Sequence, residues 1–245
     1  MRFEITVRFR HLWLVFGALL LVCCQAAAQT VRPLISELGN PAKGRVEYVN
    51  DSSVPLNVVI ETRSFTVDEN GGIKYRPLDG NIHLKLSATS FRIPPQQSYF
   101  LFYEASTDAA PAWFVIYGAF SGFGFRTAEG MNVRVQLPHT VYLLPKGGLE
   151  QADLHIVSCD FDPAEKKVIM VAENSSANFG RIEQAFLSSG KKRQEVPGFP
   201  IFPHSRRRME YTWEADDPPE KVQLELEKFK VEGDVKRELE RETAK

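Results

Sequence analysis

The chain has 245 residues, with 30 basic side chains against 31 acidic ones and a formal net charge of −1. That balance excludes a polybasic nucleic-acid binder or a protein drawn by charge to an anionic membrane. The length allows one large domain, or two of about 100 residues once a leader is set aside.

Residues 1–28 read as a secretory signal peptide. Arg2, Arg8 and Arg10 make a basic start, Leu12 to Val22 an apolar stretch, and Ala26-Ala27-Ala28 a cleavage site before Gln29. The apolar stretch falls short of the roughly 20 residues of a spanning helix. Val22 ahead of Cys23 argues against a lipoprotein signal, which takes a small residue there. Cleavage would leave 217 residues, a net charge of about −3 and a single cysteine, Cys159. No intramolecular disulfide is then available, so the exported protein must rely on hydrophobic cores. Cys159 itself reads as a small buried apolar residue, since no nucleophile motif surrounds it.

Beyond the leader the pattern is of short β-branched and aromatic runs bounded by turn signals. Arg45–Val49 closes at Asn50-Asp51-Ser52-Ser53, and Leu56–Val67 at Asp68-Glu69-Asn70-Gly71-Gly72, whose glycines tolerate positive φ. Leu84–Leu86, Phe91–Ile93, Ser98–Tyr103 and Trp113–Phe120 follow. Phe120 to Phe125 (Phe-Ser-Gly-Phe-Gly-Phe) has two readings: aromatics buried under a hairpin, or an exposed loop offering contact area to a partner.

Met131 to Pro145 is the most informative segment. Val133, Val135, Leu137, His139, Val141 and Leu143 fall on one face, and Asn132, Arg134, Gln136, Pro138, Thr140, Tyr142 and Leu144 on the other. Strict alternation predicts a strand, and Pro138, which has no N–H for a ladder, predicts that it is an edge. A bare apolar edge is a hazard unless it is kept for a partner that adds its own strand. His139 interrupts the apolar face and reads as a partly exposed histidine, with pH-tuned docking as the alternative.

Pro145-Lys146-Gly147-Gly148 marks a junction, dividing a first domain at 29–146 from a second at 147–232. The second has strands at Asp153–Cys159, Val168–Glu173, Ile182–Leu187, Ile201–Pro203, Met209–Trp213 and Val222–Leu226. The basic clusters Lys191-Lys192-Arg193 and Arg206-Arg207-Arg208 read as solvated surface. The tail at 233–245 is mostly charged and reads as a frayed helix or disordered. Regular short strands without amphipathic helices predict an all-β protein of two immunoglobulin-like sandwiches. His83, His139, His155 and His204 are scattered, and no nucleophile or phosphate-binding motif appears, so no catalytic residue, metal site or cofactor is expected.

Several of these segments resemble the periplasmic pilus-assembly chaperones of the chaperone–usher pathway, the PapD-like family. They are Gly44 to Ser52, the Asp68–Gly72 turn, Phe91-Arg92-Ile93-Pro94-Pro95-Gln96-Gln97-Ser98 and Val135 to Pro145 in the first half. In the second half they are Val171 to Ser176 and Ile201-Phe202-Pro203-His204-Ser205. Together they span roughly Val31 to Lys230. The resemblance implies two sandwiches set in an L, with the last strand of the first domain donated to an incomplete pilin-like subunit. Carried over, the donor residues are Val133, Val135, Leu137 and Val141. Members of the family grip the subunit carboxylate with a basic pair in the interdomain cleft. Here the corresponding neighbourhoods offer only Arg32 and Thr140 as cleft contacts, and the final strand, with Leu137-Pro138-His139-Thr140-Val141-Tyr142, is closer to the archaic branch. The expected partners are a secreted subunit and an outer-membrane usher, in the periplasm, with a self-capping dimer when no subunit is present. Nucleic acid and small-molecule substrates are not expected. The alternatives are a PapD-like adaptor without a pilin client and a secreted enzyme.

Overall fold

The computed structural model describes residues 29–121 and 135–237. The leader, Val133, the Gly122–Phe125 part of the aromatic loop and residues 238–245 lie outside the described residues. Within them the regular structure is β-strand, apart from a single 3-10 turn at Gln151–Asp153.

The first domain opens with β1 (Gln29–Arg32), β2 (Ile35–Gly39) and β3 (Ala42–Asn50), followed by β4 (Leu56–Val67) and β5 (Ile73–Pro77). Then come β6 (Ile82–Leu86), β7 (Ser90–Ile93), β8 (Gln97–Thr107), β9 (Ala112–Ser121) and β10 (Val135–Leu144). One sheet has the order β1-β3-β8-β6. The other runs β2-β10-β9-β4-β5, with β7 also on β4. Alternating side chains of both sheets fill the space between them: Val46, Tyr48, Leu101, Phe114, Ile116, Phe120, Val141 and Leu143 are all buried. Gly44 and Gly118 make room for two of the rings, since a Cβ would overlap Tyr103 at the first and Tyr48 at the second.

The chain crosses between these sheets at Pro33-Leu34. Before the crossing, β1 pairs antiparallel with β3; after it, β2 pairs parallel with β10. Neither β1 nor β2 belongs to the strands expected above, because short, mostly polar alternation gives little signal. Their presence decides which part of β10 is free.

The second domain has β11 (Leu154–Asp162), β12 (Lys167–Asn174), β13 (Gly180–Ser189) and β14 (Lys192–Ile201). It closes with β15 (Ser205–Thr212), β16 (Lys221–Glu225), β17 (Lys230–Asp234) and β18 (Lys236–Arg237). Its sheets run β15-β12-β11-β18 and β14-β13-β16-β17 around Trp213, Met170, Ile182 and Leu224. Cys159 is buried in this core, and desolvation, helped by the neighbouring Asp160 charge, pushes its thiol up to about 12.

Two expectations are corrected here. Ile201 ends a strand that starts at Lys192, not one that continues to Pro203; Pro197 and Pro200 are accommodated because β14 is an edge. Within the described residues the charged tail forms strand pairs: Gly233 pairs with Val222, and Lys236 and Arg237 run parallel to Asp160 and Phe161. Ladder bonding at the sheet edges outweighs the low apolar content there.

The same device turns the chain in both domains. Buried Asn50 donates to the carbonyls of Val54, Ile93 and Pro94 at 2.9, 3.1 and 3.0 Å, while its Oδ1 accepts from the Ser52 N–H and hydroxyl. Asn174 donates to Asn178 and Phe202 at 2.7 and 3.0 Å and accepts from Ser176 in the same way. An Asn-x-Ser turn thus satisfies carbonyls from two chain segments at once, as buried polar groups require.

Candidate functional site

Among the described residues, strand β10 is an edge for only half its length. It pairs with β9 from Val135 to Leu143, but with β2 only from Thr140 onward, and the Thr140 N–H donates to Leu34 O at 2.8 Å. The expectation of an edge along the whole strand is corrected by this parallel partner. Residues two apart in a strand point their backbone groups the same way. The N–H and C=O of Gln136 and the C=O of Pro138 therefore face the free side. Pro138 removes one donor from that side and so blunts it, as edge strands in soluble proteins commonly are.

Side chains alternate with the same period. Val135 and Leu137 point inward and are half-buried against the first core, while Gln136 and Pro138 face solvent. Beyond the open half, Val141 is 0% exposed and belongs to the domain's own core. It is not available to a partner, which corrects its expected role as a donor residue. Two apolar side chains missed in the sequence stand where the open half ends: Leu34, 61% exposed, and Ile35, 47% exposed. An isolated exposed Leu or Ile carries no signal; their meaning comes only from pairing beside Thr140.

His139 lies at the boundary and is 0% exposed, so the partly exposed reading is corrected. Its Nδ1 is 2.7 Å from Pro33 O, and its Nε2 is 3.0 Å from the Tyr103 hydroxyl. A carbonyl only accepts, so Nδ1 carries the proton and donates; Nε2 then accepts from the Tyr103 O–H. Desolvation holds the imidazole below its ordinary pKa, only partly offset by its bond to Pro33.

Arg32 and Thr140 do not converge. Arg32 is exposed on β1 opposite Glu47, on the outside of one sheet, whereas Thr140 is half-buried on the outside of the other. The guanidinium at the junction of the domains comes instead from Arg181 of β13, which is ion-paired with Glu37 and lies 5.5 Å over the Tyr142 ring and 5.8 Å over Phe179. Beside it Phe65, Tyr142, Phe179 and Phe202 form a buried aromatic cluster shared by both domains, flanked by Trp113. Arg207 is also withdrawn from the solvated role expected for its cluster. It donates to Asp68 O at 3.3 Å, and the Arg208 N–H donates to Glu69 O at 2.8 Å, so the Asp68–Gly72 turn is clamped to β15. Four other basic side chains of the two clusters make surface pairs: Arg206 with Glu173, Arg208 with Glu210, Lys192 with Asp217 and Arg193 with Glu225. A hollow of about 210 Å³ lies by the Glu37–Arg181 pair, lined also by Leu144, Phe179 and Phe229. Among the described residues no three His, Cys, Asp or Glu side chains group to hold a metal.

No family model and no curated protein matches the chain by sequence. Solved structures do match it. The YadV chaperone is similar at a TM-score of 0.53 and 10% identity, covering 84% of this chain and 97% of that one. The CsuC–CsuE chaperone–tip adhesion subunit pre-assembly complex of the archaic Csu pili of Acinetobacter baumannii gives 0.53, 12% identity and coverages of 86% and 99%. The class 5 fimbriae chaperone CfaA gives 0.51, 11% identity and coverages of 85% and 99%. The chain therefore has the two-domain PapD-like fold of the fimbrial chaperones.

Proposed function

We propose that this protein is a periplasmic chaperone that holds a pilin-like subunit by strand addition at the open half of β10. It works as a binding protein, without turnover or cofactor, and passes its subunit to an outer-membrane usher. The observation that carries the reading is a strand with one half free, its unpaired backbone groups alternating with the half-buried Val135 and Leu137. Strand addition uses those two features together: ladder bonds for affinity and register, alternate side chains for fit. Val133 precedes this half and extends the same alternation, whereas Val141 takes no part.

Magnitudes say how much surface the subunit must cover. Fully burying a Val or Leu contributes roughly 1.5–3 kcal/mol, and side chains already half-buried have about half of that left to gain. Three backbone groups add roughly 0.5–1.5 kcal/mol each. The sum is comparable to the ~4–15 kcal/mol cost of association. A stable complex thus needs more apolar area, and Leu34 and Ile35 at the end of the open edge supply it.

The test is co-purification from the periplasm of wild type and of Val135→Arg/Leu137→Arg, with mass spectrometry of the bound protein. Circular dichroism and sedimentation check that the variant is folded and monomeric. A small β-rich secreted subunit retained by wild type and lost by the variant supports the proposal. The same partners on both proteins, or none on either while the fibre is being made, would reject it and favour the adaptor reading.

A further inference from the structure

We infer that His139 is a positioning residue that determines how much of β10 a partner strand can reach, by latching the crossing chain onto the strand at the point where its open edge ends. The inference takes its meaning for a subunit from the strand-addition reading, but the latch itself is a property of the free protein.

The geometry is local and specific. Pro33 is the last residue before the chain joins β10, and its carbonyl has the His139 Nδ1–H as donor at 2.7 Å. The next carbonyl, Leu34 O, accepts the first ladder bond from Thr140. The imidazole thus stands one step ahead of the ladder and ties down the carbonyl that the crossing would otherwise leave behind. Its other nitrogen is held by Tyr103 of β8, in the opposite sheet. One buried side chain therefore joins β10, the crossing segment and the facing sheet.

The consequence follows from strand competition. Past His139 the edge is occupied by β2, so an incoming strand can extend only by peeling β2 away. Without the latch, β2 would begin at a frayed end, since Leu34, which leads into it, and Ile35, its first residue, are 61% and 47% exposed and contribute little packing. With it, the fraying end is fixed and the accessible stretch stops before Thr140. Phenylalanine at 139 would keep a ring of similar size but make neither hydrogen bond. Asparagine would keep an amide N–H close to the Nδ1 position and so keep the bond to Pro33.

Amide hydrogen exchange on the free protein tests this. In His139→Phe, protection of Thr140, Tyr142, Ser36 and Leu38 should fall about 10-fold or more, while amides of β3, β8 and β9 hold their wild-type rates. His139→Asn should recover most of the lost protection. Tyr103→Phe, which leaves the Pro33 bond in place, should fall between the two and keeps the question answerable if His139→Phe does not fold. Unchanged protection at Thr140 would overturn the inference. So would a uniform loss across the first domain, or a selective loss that asparagine does not recover. None of these outcomes bears on whether a subunit binds, which the arginine variants decide separately.

Discussion

The neutral state of His139 is part of the folded structure. Desolvation lowers its pKa below the ordinary 6.5. Stability from this group is therefore complete above about pH 6.5 and is lost as the pH falls toward the depressed folded value, because the unfolded chain binds the proton more readily. The loss can reach at most about 1.4 kcal/mol per pH unit for one site. The wild-type Tm should drop between pH 7 and pH 5, and His139→Asn should flatten that drop while lowering the Tm at pH 7; thermal melts across this range check both. Gly44 and Gly118 are constrained for a different reason. A methyl group at either would overlap a buried tyrosine ring, so Gly44→Ala and Gly118→Ala should each cost about 1–3 kcal/mol in denaturant unfolding.

At the level of the element, β10 combines two functions in ten residues: its second half closes a core, and its first half remains partly unpaired. The proline in the open half limits pairing by withholding a donor. Pro138→Ala should restore that N–H and make the free protein self-associate more strongly through this edge, as a larger sedimentation coefficient at equal concentration would reveal. An unchanged monomer would mean that the missing donor does not restrain the edge. Leu34→Ser/Ile35→Ser tests the apolar extension of the same edge. It should weaken subunit binding about 10-fold in titration calorimetry with little change in Tm, because both side chains are already exposed.

Across the whole molecule, the two sandwiches are coupled by an aromatic cluster and by contacts from surface turns. Phe202 is its centre, with ring contacts to Phe65, Trp113, Tyr142 and Phe179. Phe202→Ala should cost about 3–5 kcal/mol of stability and split one calorimetric transition into two, one per domain. Glu37–Arg181 is partly exposed and screened by solvent, so Glu37→Gln should cost no more than about 1 kcal/mol. A larger penalty for Glu37→Gln than for Phe202→Ala would mean that charge, not packing, couples the domains.

The all-β class, most of the strands that carry apolar alternation, the Asn-x-Ser turns and the one strand on which the proposed function rests are legible in the order of the amino acids. These are local properties: a side-chain period of two, a proline without an N–H, an asparagine and a serine two residues apart in a turn. Tertiary structure alone decided that only half of β10 is open, that Val141 is internal, that His139 is a buried latch and that Arg181 and Arg207 join the domains. Each of those depends on residues far apart in the chain, such as Pro33 with His139 or Glu37 with Arg181. Short polar strands like β2, which bring such pairs together, are stabilised by ladder bonds to a partner and leave little trace in the order of the amino acids.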